Sequence, residues 1–226
     1  MEQNEFDLPE ENVYSLEEIL DEVHEEAKAE VTFTEPPKPQ SKANGVLSYI
    51  YDLVRLLAVI VLVSMLLFRV VVVSGPSMYD TFYDGDYLLV LGNLFYRDPK
   101  AGDIVIVSKD SFDEGKPIVK RVIATEGQKV DIDFTRGVVY VDDVALVEPY
   151  THTMTNLQEG VQFPITVDEG CVFVLGDNRN DSKDSRDPEI GQVDQREVLG
   201  KVLFLFLPGT HYGTEERDYS RIGVVE

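Results

Sequence analysis

Residues 53–73 read LVRLLAVIVLVSMLLFRVVVV, an apolar run close to the ~20 residues that a helix needs to cross a bilayer core. Arg55 and Arg69 interrupt it near its ends, where a long side chain can carry its charge back to the headgroups. A buried core helix would rarely be so apolar all round, and a cleavable leader would begin closer to Met1. The run therefore predicts a single transmembrane helix over residues 46–73. It divides the chain into an N-terminal tail, 1–45, and a C-terminal domain, 74–226.

The tail holds much of the chain's net charge of −22 and passes into EPPKPQSKANG, a composition that buries little surface. It is expected to be largely disordered, except for a short helix where Ser15 and Glu18 form a capping-box pattern. The sequence names no partner for the tail. So negative a chain would repel phosphate, which argues against nucleic acid as a partner. Lys38, Lys42 and Arg55 stand on one side of the span and Arg69, Arg97 and Lys100 on the other. Since carboxylates count for little in the orientation rule, the N-terminus is placed in the cytoplasm and the C-terminal domain outside, in a single-pass cell-membrane protein.

Beyond residue 74 the pattern changes to short runs rich in Val, Ile, Tyr and Phe, such as DYLLVL, DIVIVS, KVDIDF and CVFVLG, separated by turn residues. This predicts a mainly β domain built on antiparallel sheet, with a hairpin turning at Asp142 and Asp143. One cysteine, Cys171, excludes an intrachain disulfide, and its apolar setting reads as a buried small hydrophobe. His24, His152 and His211 lack metal-ligand spacing and read as structural or solvated. No metal or organic cofactor is implied.

Three pieces of the domain carry residues able to do chemistry: SGPSM at 74–78, VKRV at 119–122, and GDNRNDSKDSR at 176–186. Taken singly, Ser77 is a turn serine and Lys120 an edge or ion-paired lysine. In IVKRVI the period of two puts Lys120 on the face of Ile118 and Val122, and Arg121 on that of Val119 and Ile123. Whichever face is buried, one cation shares it with apolar neighbours. A desolvated Lys120 would have a lowered pKa and could take a proton from a serine hydroxyl, which a guanidinium cannot do. Ser77 follows the apolar run by four residues, which would hold it near the membrane surface.

Together these stretches resemble the bacterial type I signal peptidases, membrane-anchored serine proteases with a Ser-Lys dyad. SGPSMYDTFYDGDYLLV looks like the family's nucleophile box, with Ser77 before Met78. GDIVIV at 102–107, KRVIA at 120–124 and GDNRNDSKDSR look like the three that follow, in order. The resemblance implies Ser77 as nucleophile and Lys120 as general base. It implies Ser182 as the serine that orients the lysine, and Asp184 and Arg186 as a bracing charged pair. Gly176 and Asp177 would shape the adjacent wall, with Arg121 and Met78 in support. Gly75 stands where some members carry a second, hydroxyl-bearing oxyanion donor. Asp80 and Ala124 depart from the proline and glycine of the family pattern.

The implied substrate is a secretory preprotein, bound extended as an added strand and cut after small residues in an Ala-x-Ala type site. The lipid bilayer is the other implied partner. Two other readings stand beside this one. A self-cleaving repressor of the SOS type shares the Ser-Met and Lys elements and an Asp84-Gly85-Asp86 stretch. A catalytically inactive, membrane-anchored β scaffold would bind exported chains without cutting them.

Overall fold

The structure is a computed structural model describing residues 42–210 and 216–225. The Ser15 to Glu18 capping pattern, His24 and His211 lie outside the described residues. The chain divides into two units, Met1–Arg55 and Leu56–Glu226, and the second carries every described strand.

Helix α1 covers Lys42–Leu67, and its stretch Gly45–Leu67 is long and apolar enough to cross a membrane. The apolar run does not remain helical to residue 73. Strand β1, Phe68–Val72, begins at the next residue and pairs antiparallel with β2, Tyr87–Gly92, Phe68 opposite Leu91 and Val72 opposite Tyr87. The cause is local: FRVVV is β-branched where the preceding SMLL is not, and β-branched residues favour extended backbone. Arg69 accordingly sits on a strand. Ser77, four residues past the apolar run, therefore stands ten residues past the end of the helix.

The expected mainly β, antiparallel domain is present. The remaining strands are β3 (Ile104–Val107), β4 (Ile118–Thr125), β5 (Lys129–Asp133), β6 (Val138–Val141), β7 (Val144–Ala145), β8 (Ile165–Thr166), β9 (Cys171–Leu175), β10 (Val193–Asp194), β11 (Val198–Leu207) and β12 (Gly223–Val224). The larger sheet runs β1-β2-β11-β3-β4-β9-β10, with β12 also on β11; the smaller runs β7-β6-β5-β8. All the pairings are antiparallel. The hairpin between β6 and β7 turns through Asp142 and Asp143, both at positive φ, which suits a tight two-residue turn.

Burial follows the strands' positions. Strand β2 alternates half-buried and buried residues, whereas β3 is buried throughout. Strand β4 feeds three apolar clusters. Val119 packs with Met78, Phe82 and Leu88, Val122 with Val105 and Val174, and Ile123 with Val130 and Phe173. Both faces of β4 are thus covered. Lys120 and Arg121, adjacent on it and pointing opposite ways, are both buried, at 2% and 3% exposure. The sequence required this of only one of them.

Two edges of the larger sheet bear on the site. Among the described residues β1 pairs only with β2. Strand β9 meets β4 from Arg121 onward, so Ile118–Lys120 pairs on the β3 side alone. Both stretches keep backbone groups available to an added strand.

Candidate active site

The segment carrying Ser77 is pinned from several directions. Met78 and Phe82 are buried in the cluster that also holds Val119, anchoring the segment over β4. The backbone N–H of Asn178 donates to the Ser77 carbonyl at 3.0 Å, and the Asn178 amide donates to the Pro76 carbonyl at 3.2 Å. The N–H of Gly75 donates to Asp84 Oδ1 at 2.9 Å. Gly75 adopts φ +94°, which a side chain would strain, although a Cβ there would meet nothing within 4 Å. Glycine is required at this turn for its conformation.

Lys120 Nζ donates to Ser77 Oγ at 2.7 Å. Burial pulls the ammonium pKa from 10.5 down to about 8, against the opposing pull of the carboxylates of Asp184, Glu159 and Asp177. An amine so placed spends an appreciable fraction of its time unprotonated near neutral pH, within reach of a hydroxyl proton. That is the arrangement nucleophilic catalysis by serine demands.

A buried scaffold of charge holds the surrounding wall. Asp177, fully buried, accepts from Arg121 Nε and Nη2, both at 2.9 Å, and from Thr81 Oγ1 at 2.5 Å. Arg121 also donates to the Gly102 carbonyl at 3.0 Å, and its guanidinium lies 3.9 Å from the centre of the Tyr150 ring. Asp184 and Arg186 form a two-pronged pair with both bonds at 2.8 Å. Arg186 further donates to the carbonyls of Leu157, Arg179 and Ser182, tying three parts of the wall together.

The site residues expected from the sequence are thus brought together, with one difference. The hydroxyl of Ser182 donates to Asp184 Oδ2 at 3.0 Å, and the hydrogen bond of Lys120 goes to Ser77. A carboxylate is the stronger acceptor, and Asp184 Oδ2 gathers the Gly176 N–H as well, at 3.0 Å. Asp184 in turn is the first of the carboxylates whose charge favours the ammonium form of Lys120. Gly176 is there for close approach: a Cβ would stand on the Ser182 side chain and 2.5 Å from the Ser77 carbonyl oxygen.

Sequence reasoning did not single out Thr81, Asn178, Arg179 or Glu159. Asn178 and Arg179 lie inside the GDNRNDSKDSR stretch, so their position was the available signal. Buried Arg179 donates to Glu148 and Thr155. His152 is also nearer the site than its isolated place in sequence suggested. Its N–H donates to the Asp177 carbonyl at 3.1 Å and its Nδ1 stands 2.9 Å from Asp80 Oδ2. Cys171, expected to be buried, is only half-buried at the start of β9, and burial is the main cause raising its thiol pKa. Among the described residues no group of three or more His, Cys, Asp and Glu is placed to hold a metal ion.

A groove of about 430 Å³ runs past the pair, lined by residues 71–74 and 116–119 together with Ser77 and Lys120. These lining stretches include the two free strand edges.

Comparison with known proteins identifies the family. The family described as Signal peptidase, peptidase S26, matches residues 46–207. Signal peptidase I of Bacillus licheniformis is 31% identical over 179 residues, covering 76% of this chain and 94% of the relative. Signal peptidase I T of Bacillus subtilis is 31% identical over 177 residues, covering 75% and 89%. The crystal structure of a signal peptidase I from Enterococcus faecalis is 30% identical and covers 46% of this chain and 96% of its own, with a TM-score of 0.38. With the family match spanning most of the chain, the chain belongs to the bacterial type I signal peptidases of peptidase family S26, serine endopeptidases that remove signal peptides.

Proposed function

We propose that the chain removes N-terminal signal peptides from exported preproteins, cutting after small residues in Ala-x-Ala type sites, with Ser77 as nucleophile and Lys120 as general base. The observation that carries the mechanism is the buried Lys120 amine, 2.7 Å from Ser77 Oγ with its pKa drawn down to about 8.

Unprotonated Lys120 takes the hydroxyl proton as Ser77 Oγ attacks the scissile carbonyl carbon. The oxyanion that forms is met by the N–H of Ser77, a type of donor whose loss elsewhere costs ~3 kcal/mol. Lys120 then passes its proton to the departing amide nitrogen, the C–N bond breaks, and the signal peptide is left as an ester on Ser77. Water, deprotonated by the same amine, releases it. Asp184, Ser182 and Gly176 hold the wall behind the pair, and Asp177 with Arg121 holds the adjoining one.

The substrate lies extended in the groove, adding backbone hydrogen bonds to residues 71–74 and 118–120, whose edges are free for it. Apolar Val71, Val73, Ile106 and Val119 line that groove and suit the uncharged residues before the cut. Helix α1 anchors the chain in the bilayer, with the N-terminus in the cytoplasm and the β domain outside. The groove begins on β1, directly after the helix in sequence, which suits a substrate segment leaving the same membrane.

The test is cleavage of a preprotein with an Ala-x-Ala site by the full chain in detergent, comparing wild type with Ser77→Ala and Lys120→Ala. Loss of product in both folded variants is expected. Equal cleavage by all three would overturn the dyad, and a wild type that binds the preprotein without cutting it would favour the inactive scaffold.

A further inference from the structure

A second cavity, of about 210 Å³, is lined by Gly75, Pro76, Tyr79, Tyr83, Asp84 and Thr210. Among the described residues it shares no lining residue with the substrate groove, and the nucleophile segment is divided between the two. Ser74, Ser77 and Met78 line the groove; Gly75, Pro76 and Tyr79 line the second cavity. Ser77 thus lines the groove between residues, Pro76 and Tyr79, that line the second cavity. Nothing lies within 4 Å of where a Gly75 side chain would begin, so a peptide crossing at this point meets no obstruction from it.

The aromatic wall of this cavity is braced from behind. The Tyr79 and Tyr83 rings lie 4.9 Å apart at 59°. His152 meets Tyr79 edge-on at 5.1 Å, and its Nδ1 is tied to Asp80. The Arg221 guanidinium sits 3.9 Å from the centre of the Tyr83 ring. Arg221 is itself fixed by both oxygens of buried Asp86 and by the Thr81 carbonyl. Rings held in this way present a preformed apolar surface, and two carboxylates, Asp84 in the lining and exposed Asp80 beside it, give its margin negative charge.

We propose that this cavity is the subsite for the residues following the scissile bond, accepting an aliphatic or aromatic side chain at the first or second position of the released chain and disfavouring an acidic one. The inference rests on Ser77 being the nucleophile. Attack there divides the substrate at the boundary between the two spaces. The acyl half stays in the groove as the Ser77 ester, and the amine half, having received the proton from Lys120, leaves from the second cavity. Tyr79 and Tyr83 supply contact area to an apolar side chain, while Asp80 and Asp84 repel a carboxylate.

The experiment uses the full chain in detergent and preproteins with one fixed Ala-x-Ala site and Leu, Phe, Ala or Asp at the two positions after it. Wild type is expected to cleave the Leu and Phe substrates with kcat/KM ~10-fold above the Asp substrate, the scale of discrimination a single pocket contact gives. Tyr79→Ala should flatten the preference for Leu over Ala. Thr210→Lys, which reaches the cavity from outside the nucleophile segment, should raise relative cleavage of the Asp substrate. On an added pair of preproteins with Ala or Val immediately before the cut, the preference for Ala should be unchanged in both variants. Normal cleavage with no preference after the cut, or a preference that neither variant moves, would overturn this inference alone. A wild type that cleaves none of the substrates would overturn it together with the proposed function.

Discussion

Lys120 Nζ and Ser77 Oγ stand 2.7 Å apart across 43 residues of sequence, one on a strand covered on both faces and the other on a turn pinned over it. The amine is buried at the same place where the turn meets the strand, so proximity and lowered basicity occur together. The pH profile follows from this. Because the working form is the free amine and its pKa is drawn to about 8, kcat/KM should rise ~10-fold per pH unit on the acid side and level off above about pH 8. Initial rates on one preprotein from pH 6 to 9 check this, and a flat profile would exclude Lys120 as the base.

The same burial costs stability. A lysine whose pKa is lower folded than unfolded binds fewer protons in the folded state between about 8 and 10.5, so stability should rise with pH across that window. Below it the full penalty applies. Lys120→Met, similar in volume and uncharged, should therefore be inactive yet more stable at pH 7, by on the order of 3 kcal/mol. Denaturant unfolding at pH 7 and pH 10 measures it, and the gain should shrink at the higher pH.

Glu159 offers a way to move the profile without touching the pair. Its Oε2 is buried without a hydrogen-bond partner, burial and the nearby Asp184 carboxylate raise its own pKa, and its charge favours the ammonium form of Lys120. Arg186 opposes that rise and Asp187 reinforces it. Glu159→Gln removes the negative charge, so the acid limb should shift to lower pH with the plateau rate retained. A limb that stays in place would show that Glu159 is only structural.

Asp177 and Arg121 should respond unequally to truncation. Asp177→Ala removes the carboxylate that pairs with buried Arg121 and frees Thr81, and should cost ~3–5 kcal/mol, the usual penalty for removing one partner of a buried ion pair. Replacing both with apolar residues, as in Arg121→Met with Asp177→Leu, should recover part of that loss. Thermal unfolding of the single and double variants is the measurement.

Gly176→Ala tests close approach. Its methyl would press on the Ser182 side chain and the Ser77 carbonyl, displacing the nucleophile from Lys120 while leaving the strands intact. A loss of ~100-fold in kcat, with unchanged circular dichroism, is expected from a misplacement of this kind. Wild-type activity would mean the wall can yield.

The chain's own pattern was enough to place an apolar helix ahead of an antiparallel β domain, because a long apolar run and short β-branched runs are local signals that neighbours in sequence generate. The residues around Ser77, Lys120 and the stretch from Gly176 to Arg186 were legible for a related reason: their types and order match a family pattern, and the structure assembles them at one place. Where the helix stops was settled by pairing. Phe68–Val72 is apolar enough to continue a span, but Tyr87–Gly92 offers it a ladder of hydrogen bonds that a helix would forgo. Tertiary structure also decided that both Lys120 and Arg121 are buried, since three apolar clusters converge on β4 and cover both its faces. It decided that Ser182 bonds Asp184, and that Glu159 and Thr81 belong to the site. Sequence determines which groups a chain has and their local spacing; which of them lose water, and beside which charge, depends on contacts between segments far apart along the chain.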